Sequence, residues 1–371
     1  MPERARIQLF RPAIRDEAAT AVGDVLRSGW LGLGPRTREF EAAFARAVGA
    51  PHCVALNSCT TALQLGLRVL DLPHGAEVVS TPLTFVSANQ VILQEGLTPV
   101  FADVQPATGC VEPESIRERI TERSGAIMVM HYGGMPCDLD EIYALARAHG
   151  LAVIEDCAHA CGASYRGRPV GSHGDLHAFS FQAVKNLPVG DGGALTVASA
   201  EIDARLRRLR WFGITSSTFD RSEGGAYRWD YDVAELGVKG AMNDLAAAIG
   251  LVQLAVLDAD NERRREIAGR YRSGLAGLPG LELLREHDDR VSSRHLFCVL
   301  AERRDDLVDR LAANGIETGV HFRPSYTYPM FASEPLPGVE SFWRRVISLP
   351  LHLGLADGDV DRVIDVIGGG W

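Results

Sequence analysis

Leu139-Asp140-Glu141-Ile142-Tyr143-Ala144-Leu145-Ala146-Arg147-Ala148-His149-Gly150 runs directly into Leu151-Ala152-Val153-Ile154-Glu155-Asp156. The first stretch spaces its apolar residues three and four apart, as one helical face does, and closes on a glycine that can take a left-handed C-cap. The second is a short unbroken apolar run, the pattern of a strand buried on both faces. The spacing predicts a helix over Leu139–Ala148 and a strand over Leu151–Glu155. Further strands are expected at Cys53–Leu56, Glu77–Ser80, Pro99–Ala102, Ala126–Met130, His177–Phe181 and Ala194–Val197, with a helix at Thr60–Val69 among the intervening segments. Short apolar runs alternating with helical patterns predict an α/β fold built on a mostly parallel seven-stranded sheet. Ligands of such sheets gather at the carboxyl ends of the strands, where Asp156 and the Asn57–Thr60 turn both fall.

From Trp211 to Met242 the pattern gives way to Gly, Ser, Asp and aromatic residues, too long for an ordinary connection, and a functional loop is expected there. A helix follows from about Asp244 to Asp258, with a continuation toward Leu275. Beyond it, Arg294–Val299, Leu307–Asn314 and Asp359–Ile367 read as elements of a small α+β unit. The expected division is a large α/β domain over residues 1–254 and a small C-terminal α+β domain over 255–371. No internal repeat or low-complexity tract is present.

The chain has 371 residues, 46% of them apolar, and a formal charge of −10. No apolar run approaches the ~18 residues that a membrane helix requires, and the N-terminus lacks a signal-peptide pattern. The acidic balance argues against a nucleic-acid partner, and the basic cluster at Arg263-Arg264-Arg265 is flanked by acids on a helical pattern. Seven cysteines without a framework spacing suggest reduced thiols. A cytoplasmic protein with no nucleic-acid or membrane partner is expected. Cys157, His159 and Cys161 alternate along the chain but lack a second ligand pair, so no metal site is assigned and core packing is expected for the thiols. Asp357, Asp359 and Asp361 resemble the start of a calcium loop, but Arg362 stands where the turn needs glycine.

The chemistry concentrates in three segments. Phe179-Ser180-Phe181-Gln182-Ala183-Val184-Lys185-Asn186 places Lys185 in an apolar surround, ahead of Gly190-Asp191-Gly192-Gly193, where the backbone can turn tightly. Asp156 ends a buried strand, where a carboxylate needs a partner. Asn57-Ser58-Cys59-Thr60-Thr61-Ala62-Leu63 opens a helix whose free N–H groups would face an anion. Together they suit pyridoxal phosphate, with Lys185 for a Schiff base, Asp156 to hold the ring nitrogen protonated and hydroxyls such as that of Ser180 for the phosphate. Each segment also has a plainer reading: a solvated lysine, an Asp156–arginine salt bridge, and ordinary Ser/Thr capping of a helix.

The chain resembles the DegT/DnrJ/EryC1/StrS family of sugar aminotransferases. The resemblance is carried by Ser28-Gly29-Trp30-Leu31, Phe40-Glu41, Asn57–Leu63, Thr84-Phe85-Val86, Val153–Ala160, Gly174-Asp175, Phe179–Gly193, Met242–Leu251 and Ser348–His352. It implies the fold-type I architecture of pyridoxal-phosphate enzymes and a transaminase activity. It also implies Lys185, Asp156 and His159 as catalytic residues, with Lys185 bound to the cofactor, Asp156 on its ring nitrogen and His159 on its phenolic oxygen. Phe85 would stack on the ring. Thr60, Ser180 and the amides of Ser58, Cys59 and Thr60 would hold the phosphate, joined by Asn243 from the second subunit of a homodimer with shared sites. Cys59 stands where a glycine is common.

On the same resemblance, glutamate donates an amino group to a nucleotide-linked keto-deoxysugar, a dTDP-4-keto-6-deoxyhexose aminated at C4. Substrate contacts are expected from Trp30, Trp229, His321 and Arg323, with Arg228 as a further candidate. The alternatives are a C3-acting sugar aminotransferase, a sugar dehydratase of the same family and a non-catalytic protein that keeps the fold. Family dehydratases carry histidine in place of the lysine, which Lys185 opposes.

Overall fold

The computed structural model describes residues 6–215 and 230–371. The large sheet contains β1 (His52–Leu56), β2 (Glu77–Ser80), β3 (Thr98–Phe101), β4 (Ser124–Met130) and β5 (Ala152–Asp156). After a small hairpin of β6 (Ser164–Tyr165) and β7 (Arg168–Pro169), it gains β8 (Leu176–Ser180) and β9 (Gly193–Val197). The order across the sheet is β1-β9-β8-β5-β4-β2-β3. The run from β3 to β8 is parallel, and β9 is antiparallel to both β8 and β1. The seven strands expected from the sequence all form, with ends shifted by one or two residues.

Both faces of this sheet are covered, which explains the unbroken apolar runs. Alternate residues of one strand enter different cores: Val54 and Leu56 pack with Ala62, Leu63 and Leu65 of the helix Cys59–Arg68, whereas Cys53 and Ala55 pack with Phe40 and Phe44 of the helix Pro35–Val48. The helix Leu139–His149 ends at Gly150, whose φ of 66° is the left-handed C-cap read from the sequence.

The helix expected to run on from Asp244 is two helices, Asp244–Leu254 and Leu257–Leu275. Val256 lies between them at φ −115° and ψ 1°, outside helical geometry. Past the second helix come β10 (Leu281–Leu283), β11 (Arg290–Val291), β12 (Phe297–Ala301) and β13 (Val346–Leu349). β10, β12 and β13 form an antiparallel sheet, while β11 pairs with β6 and so ties the hairpin of the first half to the second. Tyr271, Phe297, Val299, Leu307, Ile347 and Val363 form one core there, and Ile7 from the start of the chain joins it. No helix among the described residues is long and apolar enough to cross a membrane.

Within the segment Trp211–Met242, isolated bridges join Trp211 to Lys239, Ile214 to Val233 and Ala241 to Leu56. Residues 216–229, including the expected contacts Arg228 and Trp229, lie outside the described residues.

The turn after Ala241 is fixed by Asp244. Its buried carboxylate accepts from the N–H groups of Gly34 (3.0 Å), Arg36 (3.1 Å) and Thr37 (2.9 Å) and from Thr37 Oγ1 (2.7 Å). It thereby caps the helix Pro35–Val48, whose own preceding residue is Gly34 and supplies no side-chain cap. Asp244→Ala should lower stability by about 3 kcal/mol, since several buried donors lose their acceptor at once. The change is read as a lowered urea midpoint with an unchanged slope.

Candidate active site

The last two residues of β5 point to opposite faces of the sheet. Glu155 enters a buried polar cluster, where its carboxylate accepts from His131 Nε2 (2.9 Å) and Tyr143 Oη (2.5 Å). His131 Nδ1 accepts the Cys137 N–H at 3.1 Å, which leaves the imidazole proton on Nε2 for Glu155. Asp156 faces a cleft of about 410 Å³ instead. Its Oδ1 accepts the Ala158 N–H at 3.0 Å and lies 3.8 Å from the Cys59 thiol. Burial pushes its carboxyl above the usual range, against the pull of the Ala158 amide and of Lys185. Among the described residues no arginine pairs with Asp156, so the salt-bridge reading does not hold.

Lys185 projects into the same cleft from the loop that joins β8 to β9. That loop is braced by the Lys185 N–H on Gln182 O (2.8 Å) and by a bridge between Gln182 and Gly190. The amine is half-buried, and its Nζ lies 3.4 Å from His295 Nε2. Burial pushes the lysine down to about 8, although Asp156 and Cys59 oppose the shift.

At the end of β1, Ser58 Oγ accepts the Thr61 N–H at 3.1 Å and caps the helix Cys59–Arg68. Among the described residues the N–H groups of Cys59 and Thr60 have no partner, so capping and anion binding coexist in this turn. Gly193 lets β9 lie close to it: a Cβ there would sit 2.4 Å from the Ser58 carbonyl carbon. Ser58, Cys59, Thr60 and Ser180 all line the cleft.

Above Asp156 and Lys185 stand the rings. Phe85 lines the cleft and is 59% exposed, so its ring face is open to a ligand. His159 is buried, 4.3 Å from the His295 ring centroid and stacked on Phe322 at 5.9 Å. Its Nδ1 is enclosed and has no hydrogen-bond partner among the described residues, and burial holds the imidazole well below its ordinary range. Its neighbours Cys157 and Cys161 belong to the apolar core, and the Cys157 thiol lies within 4.8 Å of ligand atoms of His131 and Glu155, so Cys157, His159 and Cys161 do not converge as ligands.

His321 also lines the cleft, with Nδ1 2.8 Å from Ser348 Oγ and burial pushing it down to about 4. Other expected residues lie elsewhere in this chain. Asn243 is exposed and caps its own helix through the Ala246 N–H at 2.9 Å. Trp30 donates its indole N–H to Leu33 O at 3.0 Å and packs against Gly34. Arg323 is exposed, 2.8 Å from Thr327 Oγ1 and over the Tyr328 ring. None of these three lines the cleft. Phe10, His295 and Phe322 do line it. They went unread in the sequence, where nothing in their spacing sets them apart.

The model of the DegT/DnrJ/EryC1/StrS aminotransferase family matches residues 12–368. The chain belongs to this family. It is 40% identical over 370 residues to the spore coat polysaccharide biosynthesis protein SpsC of Bacillus subtilis (strain 168), covering 96% of this chain and 95% of SpsC. AtS13 from Actinomadura melliaura superposes with a TM-score of 0.93 at 41% identity, over 100% of both chains. The sugar aminotransferase CalS13 from Micromonospora echinospora superposes at 0.92 and 36% identity, over 98% of this chain and 100% of its own. Spr1654 from Streptococcus pneumoniae, at 31% identity and a TM-score of 0.91, is known in a pyridoxal-phosphate form covering 98% of both chains, and in a pyridoxamine-phosphate form.

The protein is thus a transaminase that uses pyridoxal phosphate, and the cleft fits that cofactor. Among the described residues the buried Asp156 has no arginine beside it, His159 Nδ1 is enclosed and unbonded, Phe85 stands uncovered, and the amides of Cys59 and Thr60 are open at the helix start. A bound cofactor meets all four needs. Only the neutral amine of Lys185 is nucleophilic, and that form is lost as pH falls through its value of about 8. Uptake of pyridoxal phosphate by cofactor-free protein should therefore slow ~10-fold per pH unit below that point and level off above it, a dependence readable by stopped-flow absorbance.

Proposed function

We propose that the protein is a sugar aminotransferase in which Lys185, Asp156 and His159 carry the chemistry. The observation that carries this reading is the convergence of the Lys185 amine, the Asp156 carboxylate and the open amides of Cys59 and Thr60 on one cleft. When bound, pyridoxal phosphate supplies an electron sink for the carbon that exchanges its proton. The protein supplies the rest. Asp156 holds the proton on the ring nitrogen, and a positive ring beside it offsets the desolvation of its carboxylate. His159 offers Nδ1 to the ring's phenolic oxygen, and Phe85 covers one ring face. The amides of Ser58, Cys59 and Thr60, with the hydroxyls of Thr60 and Ser180, bind the phosphate at the positive end of a helix. Lys185, with an amine balanced near neutral pH, can give or take a proton within the cleft.

The sugar acceptor is supported by the relatives, one named a sugar aminotransferase and another for polysaccharide biosynthesis. We take glutamate as donor and a dTDP-4-keto-6-deoxyhexose, aminated at C4, as acceptor. The stretch Gly319–Tyr326 supports this choice, with His321 lining the cleft and the exposed Arg323 two residues on as a charge for diphosphate oxygens. We further propose a homodimer in which Asn243 serves the neighbouring phosphate. Asn243 Oδ1 is used by its own helix, which leaves the amide Nδ2 hydrogens to point outward. In that arrangement Trp30 and Arg323, exposed or half-exposed here, can serve across the same interface.

Asp156→Asn should keep the fold by circular dichroism and lose at least ~100-fold in kcat, about 3 kcal/mol of transition-state stabilisation; undiminished turnover removes Asp156 from the mechanism. Borohydride reduction of loaded protein should leave its label on Lys185 by peptide mapping, with Lys239 unlabelled. Inactive Lys185→Ala chains mixed with inactive Asn243→Ala chains should recover activity at about a quarter of the sites through hybrid dimers, and no recovery contradicts shared sites. With glutamate and either the 4-keto or the 3-keto isomer, NMR should locate the new amine at C4; amination of the 3-keto isomer alone overturns the C4 assignment and leaves the transaminase intact.

A further inference from the structure

We infer that His295 is a positioning residue for Lys185, presenting a lone pair on Nε2 that accepts from the lysine amine and fixes its direction in the cleft. This rests on the reading of Lys185 as the reactive amine.

The backbone carbonyl of Cys161 can only accept, so the 3.0 Å contact from Asn261 fixes that side chain's NH2 on Nδ2 and its carbonyl on Oδ1. Asn261 Oδ1 in turn accepts from Asn186 Nδ2 at 2.7 Å, and the second Nδ2 hydrogen of Asn186 goes to the Ser293 carbonyl, also at 2.7 Å. Both assignments agree, and they leave Asn186 Oδ1 as an acceptor. It lies 3.2 Å from His295 Nδ1, which must therefore carry the proton. A neutral imidazole has one protonated nitrogen, so Nε2 is left with its lone pair, 3.4 Å from Lys185 Nζ. Two carbonyls thus set the tautomer of a histidine through a chain of two amides.

The surroundings keep that histidine neutral and still. His295 is buried, its ring lies parallel to Phe10 at 5.8 Å, and burial together with Lys185, His159, Arg264 and His321 holds it well below its usual range. The neighbours that act on the imidazole, Lys185, His159, Arg264 and His321, all oppose an added proton. It therefore accepts a hydrogen bond from lysine without competing for the proton itself. Asp156 and Cys59 line the same cleft and favour the charged amine, and His159 and His321 line it too. A lysine amine at the end of four rotatable bonds has no preferred direction of its own. The imidazole supplies one.

The test uses the full chain loaded with pyridoxamine phosphate, which has no aldehyde and leaves Lys185 free. Trace acetylation across a pH series, quantified on the Lys185 peptide by mass spectrometry, reads the titration of the amine. In His295→Asn the shorter side chain reaches Asn186 but not Lys185. The ammonium loses an acceptor, and its titration should move about one pH unit lower, a tenfold loss in proton affinity. In His295→Gln the longer amide reaches Lys185, and the titration should stay near that of the unaltered protein. A merely structural histidine predicts equal behaviour in both variants, and equal shifts or no shift in either overturn the proposal. Nitrogen-15 NMR of the unaltered chain without cofactor gives a reading independent of any variant: the Nδ1–H tautomer supports the proposal, and the Nε2–H tautomer ends it. Failure to retain pyridoxamine phosphate counts against the cofactor site and leaves the NMR reading in place.

Discussion

The buried carboxylate of Asp156 at the end of β5 is the constraint around which the cleft is arranged. The period of two in a strand sends Glu155 and Asp156 to opposite faces, and the two are treated differently. Glu155 receives donors from His131 and Tyr143 and is held well below the usual carboxylate range. Asp156 receives one backbone amide and a distant thiol, and burial raises it. Among the described residues no side chain completes the second carboxylate as the histidine–tyrosine pair completes the first. The sheet therefore carries a satisfied charge on one face and an unfinished one on the other.

The surrounding groups are tuned in the same direction. His159, His295 and His321 all lie below their ordinary range through burial, and each adds to the cost of charging the others or Lys185. With three neutral imidazoles around it, Lys185 sits close to the pH at which it can change protonation state. The amide chain from Cys161 and Ser293 through Asn261 and Asn186 connects this electrostatic setting to the backbone of the scaffold. The geometry of the amine thus depends on residues far along the chain from it.

Asn243 and Asp244 divide two tasks between neighbouring positions. Asp244 turns inward and ends the helix Pro35–Val48, while Asn243 caps its own helix and stays at the surface. The inward residue fixes the position of the outward one. That leaves the Asn243 side chain at the surface while its Oδ1 is held by the Ala246 N–H.

The seven strands and the C-cap at Gly150 are legible in the sequence alone, as are the chemical types of Asp156, Lys185 and the Ser58–Thr60 turn, which the fold brings to one cleft. Each of these is written locally: apolar runs for buried strands, a glycine for a left-handed turn, hydroxyls before a helix. The break at Val256 is not legible in the sequence, because the helical pattern continues through it and only the backbone angles at Val256 show where one helix ends and the next begins. Nor were Phe10, His295 and Phe322, which reach the cleft from segments far apart in the chain. Their role depends on who faces them, and a tautomer fixed by Asn186 and Asn261 exists only once the strands and helices have met. Local preference set the elements and their chemistry at the strand ends; burial and long-range hydrogen bonding, which need the assembled fold, set the protonation states that make the cleft usable.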